Sequence, residues 1–348
     1  MGAVDTGSGS DDATSRRRLH HLVICSAARQ WSGVPRGAIA AATALIGMSF
    51  LAGCAGSPTT SHSSSSATPS TTGGQLAVFS TSLGPRGVTV DGQGNIYVAD
   101  EGARQIVKLS PSGQLIARLG AAIPLNHPVK VKLDAQGNLW VTELGGNTLA
   151  KLSGTGQLLA RFDAAASGGF SEPNGVALDA QGNVYVADVF NHRIVKLAPS
   201  GQVLATFGSE GNTPGAFEEP HDVAVDASGN IYISDTRNNR VQKLSPDGKA
   251  LTQWPVNDPR GIAVGASGNV YIGDLGTGSI DELSPTGTLL RHFGAPGRGR
   301  GQITLPAGVA IDAEGNVYVA EGDPEDGSPC PCRVQKFAAT GPVLTVWV

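Results

Sequence analysis

The sequence is poor in the residues that most α-helical and nucleic-acid-binding proteins depend on. Only 16% of its 348 residues are charged and 5% are aromatic, and there are two methionines. Beyond the N-terminal region, runs of Ala, Leu, Glu and Lys that would argue for helices are scarce. The longest uncharged apolar or small stretch, residues 38–53 (AIAAATALIGMSFLAG), has 16 residues. A bilayer-spanning helix needs about 20, so the stretch is the size of a signal-peptide core. Basic charge is also missing. The chain carries a net −4, and residues 55–348 hold 20 basic against 26 acidic side chains. A nucleic-acid partner, which requires a basic footprint, is excluded on this ground. Glycine, in contrast, is abundant at 48 residues. High glycine with low charge suits many short strands joined by tight turns, because glycine takes positive φ without steric cost.

The N-terminal region reads as an address. Arg36 precedes the apolar stretch as a positive flank, and the stretch ends Leu51-Ala52-Gly53-Cys54. This resembles the bacterial lipobox, which implies cleavage between Gly53 and Cys54 and a lipid on the Cys54 thiol. Residues 1–53 are then a lipoprotein signal peptide with a long polar leading segment. Residues 54–74 (Cys54 followed by AGSPTTSHSSSSATPSTTGG) show no apolar periodicity and form a disordered Ser/Thr/Pro-rich tether. About 20 such residues hold a domain some 25 Å from the membrane on average. The expected location is extracytoplasmic, on a bacterial cell envelope, with membrane contact through the lipid alone.

Residues 75–348 are one unit written six times. A motif of Pro, two alternating apolar residues, Asp or Gly, then Gly-Asn and an aromatic begins at Pro85, Pro128, Pro173, Pro220, Pro259 and Pro306. The intervals are 43, 45, 47, 39 and 47 residues. The cores read, for example, PRGVTVDGQGNIYVAD, PNGVALDAQGNVYVAD and PAGVAIDAEGNVYVAE. Two further apolar runs follow in each unit, separated by turns such as Ser-Pro-Ser-Gly113. Four short runs rich in Val, Ile and Tyr, bounded by Gly, Asn, Asp and Pro, are four strands. The Asp-x-x-Gly-Asn element is a hairpin turn in which Gly and Asn are expected to supply positive φ. Six such units predict an all-β, six-bladed β-propeller of four-stranded antiparallel blades. Residues 74–79 (GQLAVF) and 341–347 (GPVLTVW) both resemble a fourth strand, so one terminus is expected to supply the outer edge of blade 6 and the other to be added outside it.

The repeat resembles the NHL family over about residues 75–348, most closely in FGSEGNTPGAFEEPHDVAVDASGNIYISDTRNNRVQKLSPDG (207–248). The resemblance implies a propeller that recognises a protein, peptide or glycan of the envelope, like the extracellular sensor propellers of some bacterial Ser/Thr kinases. Streptogramin lyases and lactonases are propellers too. An envelope binding or scaffold module is therefore expected, with a propeller-fold lyase or lactonase-like hydrolase holding a metal in the central channel as the alternative.

Positions alike in every blade are read as structural. These are the aromatic register Tyr97, Trp140, Tyr185, Tyr232, Tyr271 and Tyr318, and the acidic ring Asp100, Glu143, Asp188, Asp235, Asp274 and Glu321, with the pairs Asp188–Arg193 and Asp235–Arg240. Positions that differ are read as functional. The residue after each motif Pro (Arg86, Val129, Asn174, His221, Arg260, Ala307) is expected to face the channel mouth, with Lys130 and Asp222 one further along. Arg86, Lys130, Asn174, His221, Asp222 and Arg260 are the expected ligand-binding set, the arginines holding carboxylate or phosphate as forks. Peptidylglycine amidating lyases, which also resemble NHL propellers, bind zinc through a His after the motif Pro in three blades. Only Pro220-His221 matches, and a catalytic zinc site needs about three protein ligands. That chemistry is not carried over, and no catalytic residue or metal ligand is assigned, nor any cofactor beyond a structural or channel cation. An enzyme would draw on His221, Asp222, Glu143 and Asn174. Of the four cysteines, Cys330 and Cys332 stand in an acidic insertion of blade 6 (residues 322–333) and are the disulfide candidates. The loop 294–306, with Arg298 and Arg300, is its expected basic counterpart.

Overall fold

The computed structural model describes residues 84–322 and 331–348. The signal peptide, Cys54, the tether, Gln75–Phe79 and the acidic residues Asp323, Glu325 and Asp326 of the insertion lie outside the described residues.

The described residues form 24 strands in six separate four-stranded antiparallel sheets. Each sheet is one sequence repeat: β1–β4 (Pro85–Val90, Ile96–Asp100, Gln105–Leu109, Leu115–Leu119), β5–β8 (Pro128–Leu133 to Leu158–Phe162), β9–β12 (Pro173–Leu178 to Val203–Phe207), β13–β16 (Pro220–Val225 to Ala250–Pro255), β17–β20 (Pro259–Val264 to Leu289–Phe293) and β21–β24 (Pro306–Ile311 to Val343–Trp347). The first strands of successive sheets pack on one another around a circle, and β21 returns to β1. The expected six-bladed propeller is the fold. The C-terminal run Val343–Trp347 is the outer strand of blade 6, paired to the strand Arg333–Phe337.

A four-stranded blade cannot bury both faces of its central strands alone. The structure accordingly has six apolar clusters, each shared by two neighbouring blades. The aromatic register lies inside these clusters. Trp140 stacks on Phe162 at 5.6 Å, and Tyr318 lies parallel to Trp347 at 6.3 Å, against Val98 and Val107 of blade 1. Full burial of such a ring contributes about 2–3 kcal/mol.

The hairpin turn between the first two strands of a blade is locked by its own side chains. In blade 3, Asp179 accepts the backbone N–H groups of Gln181 and Asn183, the Asn183 amide and the Tyr185 hydroxyl at 2.8–3.3 Å. Lys196 stands 3.4 Å from the same carboxylate and 4.9 Å from the Tyr185 ring centre. In these turns only the Gly takes positive φ (+79° at Gly182), and the Asn, expected to share that role, serves as a side-chain donor. Burial alone would raise the carboxyls of Asp91, Asp134, Asp179, Asp226 and Asp312, but the hydrogen bonds from Asn, backbone and partner side chains outweigh it and hold each below 3.8. Blade 5 differs. Gly265 replaces the Asp, and Glu282 replaces the Lys on the third strand. The carboxylate thus comes from the opposite side, where Glu282 accepts from Asn269 and Tyr271 and pairs with Arg291 at 2.9 Å. With Glu282 beside it, the Tyr271 hydroxyl, already raised by burial, is pushed up to about 12.

The acidic ring is also internal. Glu143, Asp188, Asp235 and Glu321 are fully buried at the end of each second strand. Each accepts a backbone N–H from the loop entering its own blade (Asn126, Ser171, Glu218, Thr304) and pairs with an arginine (Arg161, Arg193, Arg240, Arg333) at 2.7–2.8 Å. The pairs Asp188–Arg193 and Asp235–Arg240 form as expected, at 2.8 and 2.7 Å. Glu143 is therefore withdrawn as a mouth residue. Its oxygens are taken by Arg161, Thr148 and the Asn126 N–H.

Candidate active site at the channel mouth

The strands nearest the axis decide what enters the channel. Two residues after each motif Pro, four blades carry glycine. A Cβ on Gly87 would lie 2.5 Å from the Val129 carbonyl oxygen, one on Gly175 2.5 Å from the Asp222 Cα, and one on Gly308 2.6 Å from the Arg86 carbonyl oxygen. Bare backbone lets neighbouring inner strands touch. The other two blades carry Lys130 and Asp222 at this register, and these pair across the axis at 2.7 Å. The Lys130 ammonium also donates to the Ala307 carbonyl of blade 6. Asp222 is pinned by the N–H groups of Val223 and Ile262 at 2.9 and 3.1 Å. Burial lowers the pKa of Lys130, with Asp222 opposing the shift. Lys132, two residues along the same strand, is lowered by burial as well. The axis is thus plugged by an ammonium where the expectation allowed a metal. Among the described residues no group of three His, Cys, Asp or Glu converges to hold an ion. A mouth lined by one imidazole, one amide and three cations does not fit a divalent metal.

Above the plug lies a small pocket open to solvent. One side is polar: Arg86, Lys130, Asn174, His221 and Arg260. The other is apolar, with Leu275, Leu305, Pro306 and Ala307. Five of the six expected ligand-binding residues converge here. Asp222 does not line the pocket, because its oxygens are spent on Lys130 and two backbone N–H groups. Val129 is completely buried and is not a rim residue. The expected basic loop also turns elsewhere: Arg300 donates to the Leu344 carbonyl on the outer strand of blade 6.

Each cation has a carboxylate behind it. Arg86 pairs with Glu101 at 3.2 Å, Lys130 with Asp222, Arg260 with Asp258 at 2.9 Å and the nearby Arg237 with Glu219 at 2.8 Å. None of these four carboxylates is in the pocket lining. His221 sits within it. Arg260 Nη1 lies 3.4 Å from its Nδ1 and 3.3 Å from its Nε2. Burial first, and then the charges of Arg260, Arg86, Lys130 and Arg237, push the His221 pKa well below 6.5. The imidazole is neutral at physiological pH.

The apolar wall lies at the junction of blades 5 and 6. Between blades 2 and 3, 3 and 4, and 4 and 5, a left-handed residue before the third strand accepts the N–H of the left-handed residue before the next motif Pro: Asn147 from Glu172, His192 from Glu219 and Asn239 from Asp258, at 2.9–3.2 Å. Between blades 1 and 2, Arg104 meets His127 at 3.3 Å. Between blades 5 and 6 these positions hold Gly278, which has no side chain to accept, and Leu305. The residue before each motif Pro (Gly84, His127, Glu172, Glu219, Asp258, Leu305) signals this in the sequence, where Leu305 is the only large apolar member. Glu101 and Arg237, which shape the electrostatics, carry no comparable signal.

A family model described as the virginiamycin B lyase family matches residues 71–321. The chain belongs to this family. No curated protein sequence matches it. Among solved structures it is similar to a streptogramin B lyase (17% identity, 78% of this chain and 85% of that one, TM-score 0.56) and to the virginiamycin B lyase of Staphylococcus aureus (14%, 76% and 84%, 0.54). It is also similar to a gluconolactonase of Xanthomonas campestris (18%, 72% and 86%, 0.56). At these identities the likeness is one of fold. Cys332 of this lyase-family chain is disulfide-bonded, and its partner, expected to be Cys330, lies outside the described residues.

Proposed function

We propose that the propeller is an enzyme that breaks a C–O bond of an ester or lactone at the channel mouth, by elimination and without a metal. His221 is the base. It takes a proton from the carbon next to a carbonyl, the electron pair forms a C=C bond, and the C–O bond on the adjacent carbon breaks with the carboxylate as leaving group. Arg260 and Arg86 donate to the oxygen on which negative charge develops, the kind of preorganised stabilisation that supplies the largest part of many rate accelerations. Asn174 offers an amide to orient the substrate. Lys130, fixed by Asp222, closes the floor.

The reading rests on one observation, a neutral imidazole in a pocket with inward-facing guanidinium groups. Family membership supports an enzyme over a passive scaffold. In the S. aureus lyase, a histidine-to-alanine variant solved with quinupristin is described as catalytically inactive. We place the reaction outside the cytoplasm, on a lipid anchor at Cys54.

The test is turnover of an ester and lactone panel by the wild type and by His221→Gln. A loss of about 100-fold or more in kcat, with an unchanged melting temperature, is expected for a general base. Equal turnover by both proteins would remove His221 from the mechanism. Absence of turnover by the wild type, with a partner captured from envelope extract in an Arg86- and Arg260-dependent way, would restore the binding-module reading. An unsaturated product without ¹⁸O uptake identifies elimination, and label uptake identifies hydrolysis.

A further inference from the structure

The junction between blades 1 and 2 departs from its neighbours in a direction that leads to the mouth. At the next three junctions the left-handed residue before a third strand simply accepts a backbone N–H. Between blades 1 and 2 the two left-handed residues are Arg104 (φ 55°) and His127 (φ 56°), and they meet through their side chains, with Arg104 Nη2 at 3.3 Å from His127 Nε2. The other ring nitrogen, Nδ1, lies 3.1 Å from Oε1 of Glu101. Glu101 is buried and directly follows the acid of its blade, where the other blades carry Leu144, Val189, Thr236, Leu275 and Gly322. Its second oxygen, Oε2, accepts from Arg86 Nη1 at 3.2 Å, and Arg86 lines the pocket. Four side chains therefore run in series from the exposed Arg104 to the mouth.

The donors and acceptors along this series allow one assignment. A guanidinium only donates and a carboxylate only accepts. Nε2 of His127, facing Arg104, holds the lone pair, and Nδ1, facing Glu101, carries the proton. Each oxygen of Glu101 is then engaged by a different neighbour, so the carboxylate cannot turn without breaking a hydrogen bond. A stitch between blades needs a single N–H, as the next three junctions show. This junction instead spends two long side chains and a buried acid, and the series ends on a residue of the pocket.

We propose that His127 is a positioning residue of the mouth, which touches no substrate and fixes Arg86 in place through Glu101. This rests on the reaction proposed above, in which Arg86 donates to the oxygen that gains charge. Arg104 acts one step further back, by selecting the tautomer of His127 that donates to Glu101.

Two readouts test the proposal, the first without turnover. In ¹⁵N spectra of the full chain at about pH 7.5, the His127 imidazole, assigned by its loss in His127→Asn, is expected as the Nδ1–H tautomer. Exchange of the Arg86 side-chain N–H, assigned by its loss in Arg86→Gln, is expected to quicken about tenfold in His127→Gly, which removes both contacts while glycine accepts the positive φ. His127→Asn tolerates the same φ and sets an amide N–H toward Glu101, and it recovers most of that protection. An Nε2–H tautomer in the wild type, or unchanged Arg86 exchange in His127→Gly, overturns the proposal. The second readout is the ester and lactone panel. His127→Gly is expected to lower kcat about tenfold with little change in KM, because a displaced guanidinium is felt where charge develops. Arg86→Gln lowers kcat further, and adding His127→Gly to it costs nothing more, since the two residues act as one unit. Additive losses overturn the proposal. Arg86 held as expected, with no ester or lactone turned over, overturns the proposed reaction and leaves the positioning series standing.

Discussion

The two ends of the propeller follow opposite rules. At the hairpin-turn end, five of six blades repeat one arrangement, an Asp that gathers its Asn and a Tyr or Trp, with a Lys paired to it in four of them, and blade 5 reaches a similar result with Glu282 supplying the carboxylate from the other strand. At the mouth the blades differ, and only blades 1 and 5 share a pair, Arg-Gly. Arg86, Asn174, His221, Arg260 and Ala307 occupy one register, and Lys130 and Asp222 interrupt a series of glycines. Repetition at one end follows from every blade having the same neighbour and the same hydrogen-bonding debt. Variation at the other places different chemistries around a single cavity. Four members of the acidic ring, Glu143, Asp188, Asp235 and Glu321, each anchor the loop that enters their own blade.

The comparison is broken most severely at the glycines that let the inner strands touch. Gly308→Val puts its Cβ 2.6 Å from the Arg86 carbonyl oxygen and 3.0 Å from the Gly87 Cα, both backbone atoms. A loss on the order of 5 kcal/mol or more is expected, read as failure to give a cooperative urea transition. Next comes the plug. Lys130→Met leaves the buried Asp222 carboxylate without its cation and is expected to cost about 3–5 kcal/mol. Adding Asp222→Asn, which keeps an acceptor for the Val223 and Ile262 N–H groups, recovers part of that loss. If the double variant is no more stable than the single one, the pair is not the reason for the cost.

The turn end offers smaller and sharper tests. Glu282→Lys removes the acceptor of Asn269 and Tyr271 and is expected to cost about 2 kcal/mol in urea denaturation. Gly265→Asp on top of it rebuilds the arrangement of the other blades and restores most of the stability. Failure to do so would mean that the two solutions are not interchangeable. The smallest effect is with acid. The carboxyls of Asp91, Asp134, Asp179, Asp226 and Asp312 have folded pKa values below 3.8. Depressed values contribute stability that is complete above the unfolded pKa and disappears as pH falls through the folded one. Denaturation midpoints should therefore not depend on these groups above about pH 5 and should decline below about pH 4. Asp179→Asn is expected to lessen that decline.

Much of the fold was legible because it is periodic. Six motif prolines, alternating apolar strands and Gly-containing turns require a ring of four-stranded sheets, since no single repeat can cover its own apolar faces. The mouth register was legible for the complementary reason that Arg86, Asn174, His221 and Arg260 differ where their surroundings agree. Glu143 was misplaced because an acid at a strand end looks the same in sequence whether it faces the channel or an incoming loop. Val129 shared the mouth register but is buried in the ring. Asp222 was read as a ligand contact, although its partner Lys130 lies 92 positions away and their meeting depends on the diameter of the closed ring.

The sequence by itself determined the number of blades, the strands within each and the set of residues that differ around the mouth, because these follow from local patterning and from comparing one repeat with the next. Only the tertiary structure decided that Val343–Trp347 supplies the last outer strand, that an ammonium from blade 2 plugs the axis, that each inward cation has a carboxylate behind it, and that His221 is neutral among them. These depend on distances between residues from different blades, and those distances exist only once the circle is closed.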